Sequence, residues 1–172
     1  MYNGQPWKGV LLGCGTMCFI CLLLMCGGVV WLASGPEGGV RLSNDMEEYA
    51  DEYLAENDIL NNSESLIAYY DVTIMLDGTE AAILTDERVI YHKNGRSTSI
   101  PLEDIVDIRH RQDPLIGDII EIDSRSGLPM KIEISLFNRG ETFLNALSNA
   151  WDNARHDARE EELEEAREEV QL

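Results

Sequence analysis

Reactive side chains are scarce in this chain of 172 residues. No cysteine follows position 26, so the later residues can form neither a disulfide framework nor a cysteine nucleophile. The three histidines lack metal-ligand spacing; they are His92, His110 and His156. No G-x-S-x-G, P-loop or dinucleotide fingerprint occurs. We therefore expect no enzyme activity, no cofactor and no metal site.

Positive charge is scarce as well. The chain has 13 Lys and Arg residues against 32 Asp and Glu, and its formal net charge is −19 at pH 7. All the acids, and every basic residue except Lys8, lie after position 36. Such a surface repels the phosphates of nucleic acids and of anionic lipid head groups. We expect no nucleic-acid partner.

One long apolar run lies near the N-terminus. Residues 9–33 contain no charged side chain, and a helix needs about 20 apolar residues to cross a bilayer. A cleaved signal peptide has a shorter apolar core of about 7–15 residues. A lipoprotein box ending at Cys14 would be followed, not preceded, by most of the run. The sequence therefore predicts a flank over 1–8 and an uncleaved single-pass membrane helix over 9–33.

The membrane segment leaves its orientation and its pairing open. Lys8 before the span and Arg41 after it give a slight bias towards an N-terminus on the inside. Gly9 and Gly13 form a GxxxG pair, which lets two helices approach closely and makes them candidate helix–helix contacts in a homodimer.

After the span, residues 34–44 are rich in Gly and Ser and predict a flexible linker. Residues 45–61 then predict an amphipathic helix, because apolar residues recur at helical spacing from Met46 to Leu54. Asn44 or Asp45 is the candidate cap of this helix.

Seven short strands separated by turn residues follow. The turns include Asp77-Gly78 and Asn94-Gly95, of which the second is the strongest hairpin signal in the chain. The predicted strands are Leu66–Leu76, Ala81–Leu84, Arg88–His92, Ser97–Ile100, Ile105–Arg109, Ile119–Ile122 and Met130–Ile134. A final helix begins near Gly140, with an apolar stripe that fades after Trp151. Residues 156–172 predict an acidic tail that is either a solvated helix or disordered.

Two stretches, AILTDERVIY from Ala82 and SIPLEDIVDI from Ser99, resemble the motifs of bacterial PH-like and GRAM-like domains of the pleckstrin-homology superfamily. The resemblance covers about residues 64–155. It implies an α+β fold, with a seven-strand antiparallel sheet or barrel that is closed by the C-terminal helix. It also implies a cytoplasmic domain, which we adopt against the weak charge bias of the span. Arg88 is expected to hold a nearby carboxylate or carbonyl.

Lipid-binding members of this superfamily hold inositol phosphates with basic residues around the first hairpin. The corresponding hairpin here, residues 75–80, has two acids and no Lys or Arg, so we expect no phosphoinositide binding. The basic residues of the domain that could bind an anion or an acidic partner are Lys93, Arg96, Arg109 and Arg111. In a strand Arg109 and Arg111 point to one side and His110 to the other.

The predicted function is that of a membrane-anchored, non-catalytic adaptor that recognises a protein segment with its sheet surface or by strand addition. The alternative is an assembly subunit that self-associates through the membrane helix and the domain.

Overall fold

The computed structural model describes residues 38–170. The flank 1–8 and the predicted membrane helix 9–33, with Gly9 and Gly13, lie outside the described residues. Within residues 38–170 no helix is both long and apolar enough to cross a bilayer.

Within this described range, eight strands form two antiparallel sheets, each with its strands in chain order. The first sheet contains β1 (Arg41–Leu42), β2 (Leu66–Asp71), β3 (Glu80–Thr85), β4 (Arg88–Lys93) and β5 (Arg96–Pro101). The second sheet contains β6 (Ile105–Asp113), β7 (Gly117–Ser124) and β8 (Met130–Ser135). Helix α1 (Glu48–Glu56) lies between β1 and β2, and helix α2 (Gly140–Val170) ends the described chain. The α+β class and the predicted order of seven antiparallel strands followed by a C-terminal helix are confirmed.

The main core lies between the two sheets and the first half of α2. Alternating residues of the strands supply it, as the period of two requires. Phe143 and Leu147 of α2 are fully buried in it beside Ile132 and Ile134 of β8. The Trp151 indole N–H donates to the Ile105 carbonyl oxygen at 3.2 Å and so joins α2 to the start of β6.

A second, smaller core lies on the other face of the first sheet. Ala50 and Leu54 of α1 cover Tyr69, Ile83 and Ile90 there. Because both faces of the first sheet are covered, β3 is buried along nearly all of its length instead of alternating.

The predicted hairpin at Asn94-Gly95 is confirmed. Lys93 pairs with Arg96, and the two turn residues have φ of 50° and 73°. Two consecutive positive φ angles are the mark of a type I′ turn, whose twist matches that of the flanking strands.

The predicted linker 34–44 differs from the structure in its described part. Arg41–Leu42 forms β1, which pairs with Tyr69 and Ala68 of β2. Val40 is fully buried in the main core, and its N–H donates to the Asn138 carbonyl oxygen at 2.9 Å. The burial of Val40 and the strand pairing of Arg41 and Leu42 order this segment despite the flexibility that its glycines suggest.

The predicted helix 45–61 is shorter in the structure. It runs from Glu48 to Glu56, and neither Asn44 nor Asp45 caps it. Asp45 instead pairs with Arg41 at 3.2 Å, and so does Glu47 at 2.7 Å. These acids therefore fix β1 instead of the start of the helix.

Two further boundaries differ by several residues. Strand β2 ends at Asp71 and not at Leu76, whereas β6 continues beyond Arg109 to Asp113. Helix α2 continues as one helix through the acidic segment, as far as Val170, which agrees with the helical alternative for the predicted tail.

Candidate functional site

The basic residues singled out from the sequence lie on two different sheets. Arg109 and Arg111 are on β6, whereas Lys93 and Arg96 flank the turn between β4 and β5. The structure therefore offers two separate pairs instead of one basic cluster.

Carboxylates accompany most of these basic residues. Arg109 donates to Asp107 at 3.1 Å and also to Asp123, and the bond to Asp123 raises the pKa of Arg109 above its usual value. Arg111 lies 4.0 Å from Glu121, and Lys93 donates to Glu80 at 2.9 Å. The positive charge on β6 and on the hairpin is thus largely balanced within the domain.

The hairpin between β2 and β3 already contains a negative charge, the carboxylate of Asp71. The Asp71 carboxylate accepts hydrogen bonds from the Thr73 N–H at 2.7 Å and from the Gly78 N–H at 2.8 Å. Asp71 is only 4% exposed. Backbone donors that could have held a phosphate are therefore already occupied by a negative charge.

A concavity lined by many acids lies beside the end of β5, and we call it the acidic groove. It has a volume of about 590 Å³. Four separate segments line it: the loop before β2, the β3–β4 corner, the end of β5 with the turn after it, and one face of α2. Its charged lining residues are Glu64, Asp86, Glu87, Arg88, Glu103, Asp157 and Glu161.

Arg88 and Glu64 form a closed pair in this groove. Arg88 donates with Nε to one oxygen of Glu64 and with Nη2 to the other at 3.0 Å, and it also reaches the Ile59 carbonyl oxygen at 3.3 Å. The carboxylate and the carbonyl expected for Arg88 are thus confirmed. Burial raises the pKa of Glu64, but the Arg88 hydrogen bonds and the Asn61 N–H outweigh it and hold the pKa below its usual range.

The remaining five carboxylates of the groove are exposed. Because Glu64 already neutralises Arg88, the field of the groove is set by these five acids. On α2, Asp157 and Glu161 share a face with Ala154 and Ala158, since the four lie at spacings of three and four. The two small alanines leave room beside the acids, so the groove can admit a cationic side chain.

Strand β5 has one open edge. It is the last strand of its sheet and pairs only with β4 among the described residues. Lys93 and Arg96 close a two-residue turn, so hydrogen-bonded pairs alternate from there along β4 and β5. Ser97 and Ser99 fall between these pairs, and their N–H and C=O groups point to the open edge. Ser99 also lines the acidic groove.

His92 is a buried histidine that sequence reasoning did not single out. Its Nδ1 lies 3.0 Å from Ser97 Oγ and its Nε2 lies 3.2 Å from Tyr53 OH. Burial lowers the pKa of His92, which favours the neutral ring. This contact joins α1 to the first sheet, so we assign it a structural role.

His156, Asp157 and Glu160 come close enough to one another to hold a metal ion. All three are exposed on one turn of α2, where helical spacing alone brings such side chains together. We therefore do not assign a metal-binding function to these three residues.

The sequence motif identifies Arg88 and the acids beside it, but it does not predict the acidic groove. The loop from Asn61 to Glu64 and the acidic part of α2 are far from the β3–β4 corner along the chain. Only the folded arrangement brings these segments together.

Comparison with known proteins gives little beyond this geometry. No family model matches the chain, and no curated protein matches it. A solved structure similar to it is the crystal structure of a DUF1696 family protein with a pleckstrin-homology domain from Shewanella loihica PV-4. The identity is 16%, the TM-score is 0.48, and the match covers 67% of this chain and 99% of that one.

Proposed function

We propose that this chain is a membrane-anchored, non-catalytic adaptor whose PH-like domain captures a basic, extended segment of a partner protein on the cytoplasmic side. The anchor is the apolar run 9–33. The observation that carries the proposal is the open edge of β5, which ends in the acidic groove.

Two properties of this edge support an extended ligand. Unpaired backbone groups of an edge strand can hydrogen-bond an added strand, which supplies affinity without reading a sequence. The acids of the groove then select the partner, because cationic side chains are attracted and acidic ones are repelled. A Lys- or Arg-rich strand satisfies both requirements.

The proposal is tested by peptide binding to the full chain in phosphatidylcholine nanodiscs. The probes are a short fluorescent peptide of alternating Lys and Val and its counterpart of Glu and Val. We expect fluorescence anisotropy to rise with the Lys peptide only, and the affinity to fall with added salt.

Two variants locate the binding. Asp157→Asn with Glu161→Gln should weaken it, whereas Asp152→Asn with Glu162→Gln makes the same charge change on the same helix outside the groove and should not. Ser99→Pro removes an outward N–H of β5 and should weaken binding through the strand edge. Equal loss in both double variants, or equal binding of the two peptides, would contradict the proposal.

A further inference from the structure

Exposed apolar side chains gather at one end of the domain. Nine large hydrophobic residues of the described chain are exposed, and six of them lie in three loops. These six are Ile74 and Met75 between β2 and β3, Leu115 and Ile116 between β6 and β7, and Leu136 and Phe137 between β8 and α2. Ile74 is 100% exposed and Phe137 is 98% exposed.

Specific contacts hold the three loops together. The Tyr70 hydroxyl, at the end of β2, accepts the Ser135 N–H at 3.1 Å and the Asn138 amide at 3.3 Å. Gly117 pairs with Ser135, which places the β6–β7 turn beside the end of β8. A cavity of about 240 Å³ is lined jointly by Ile74, Ser135 and Asn138.

The chain enters the domain at this same end. Gly38 lines the same cavity, and the Val40 N–H donates to the Asn138 carbonyl oxygen. The predicted membrane helix ends at residue 33, five residues before Gly38. A fully extended chain of that length spans at most about 18 Å. The apolar loops are therefore tethered close to a bilayer if the anchor is in place.

Backbone geometry keeps Phe137 outside. Its φ is 69°, a left-handed conformation that is unfavourable for a bulky residue. Such strain persists only where the surrounding structure imposes it, and it is concentrated at functional positions. Here it presents an aromatic ring to the outside at the tip of the loop that leads into α2.

The two acids of these loops, Asp77 and Asp113, are held by hydrogen bonds within their own loops. Asp113 uses its carboxylate to accept the Leu115 and Ile116 N–H groups, and Asp77 accepts the Thr79 N–H and hydroxyl. Arg139 adds a positive charge beside Phe137. Its charge offsets part of the negative charge that anionic lipid head groups would repel.

We propose that the three loops dock on the bilayer that holds the anchor, with Ile74, Leu115 and Phe137 at the boundary between head groups and acyl chains. Aromatic and aliphatic side chains favour that boundary. The inference rests on the proposed membrane anchoring, and it adds a fixed orientation of the domain to it.

The test uses the full chain in phosphatidylcholine vesicles that contain lipids with nitroxide quenchers both near the head group and deep in the acyl chains. An environment-sensitive dye is placed on one cysteine at a time, with the other native cysteines replaced by serine. The three label sites are Phe137→Cys in the apolar end, Leu163→Cys on α2 as an exposed apolar control, and the native Cys21 within the predicted span.

We expect quenching at positions 21 and 137 and none at 163. Quenching at 21 without quenching at 137 would overturn this inference and leave the anchor intact. Absence of quenching at 21 would overturn the anchor, and the docking with it. Equal quenching at 137 and 163 would show non-specific contact and would also overturn the inference.

Discussion

Removal of one partner from the pair between Arg88 and Glu64 should destabilise the domain, and Arg88→Met tests it. The methionine keeps most of the apolar stem but removes the two hydrogen bonds that Arg88 donates to Glu64, whose side chain is 0% exposed. The Asn61 N–H is then the donor that remains to this carboxylate. Removing one partner of a buried pair costs about 3–5 kcal/mol, and the partial exposure of Arg88 puts the expected loss near the lower figure.

Urea unfolding of residues 38–172 measures this loss. Trp151 is the only tryptophan in that fragment, so its fluorescence follows the docking of α2. With a slope of about 2 kcal/mol per molar urea, a loss of about 3 kcal/mol lowers the midpoint by about 1.5 M.

Arg109→Met is the matched control. Arg109 also contacts several carboxylates, but its side chain is 51% exposed, and exposed pairs contribute little. The midpoint should hardly change. A loss in Arg88→Met no larger than that in Arg109→Met would refute the reasoning.

Acidity gives a second readout for the same variant. The pKa of Glu64 is held below its usual value of 4.5, so the stability from the pair is present above that pH and is lost as the pH falls through the folded-state pKa. The difference between the native protein and Arg88→Met should therefore shrink below pH 4.5.

Two further predictions concern His92 and Gly117, whose backbone lies close to that of β8. Because the pKa of His92 is lowered from its usual value of 6.5, the neutral ring contributes stability above pH 6.5, and this contribution is lost as the pH falls below 6.5. The free energy of unfolding of His92→Gln, measured by urea titration, should therefore depend less on pH in that range. Gly117→Ala should cost about 3 kcal/mol or more in thermal unfolding, because its φ is 117° and a Cβ would lie 2.2 Å from the Ile134 carbonyl oxygen. Gly127→Ala has φ of 77° but open space around it and should cost only about 1 kcal/mol; equal effects would contradict this account.

Local signals account for much of the fold. The alternation of Met130, Ile132 and Ile134 predicts β8 with one buried face, and Asn94-Gly95 predicts the hairpin because only a few residues tolerate two positive φ angles. Both signals are complete within a few neighbouring residues.

The structural features that the sequence does not predict depend on packing between distant parts of the chain. The burial of Val40 depends on the Asn138 carbonyl about 100 positions later in the chain, so residues 38–44 resemble a linker until the core is assembled. The apolar run of β3 is compatible with a strand covered on one face or on two, and only the position of α1 decides between them. The acidic groove depends in the same way on how α2 passes the β3–β4 corner.

The direction of α2 makes the charge distribution of the domain asymmetric. The helix begins directly after the loop that carries Phe137 and is 31 residues long, which corresponds to about 45 Å. The carboxylates of Glu160, Glu161, Glu162 and Glu164, in its second half, therefore lie far from the end with the apolar loops. Under the proposed anchoring, a negatively charged leaflet would repel the far end more strongly than the near end, and the resulting torque would turn the apolar loops towards the lipid before any side chain touches it.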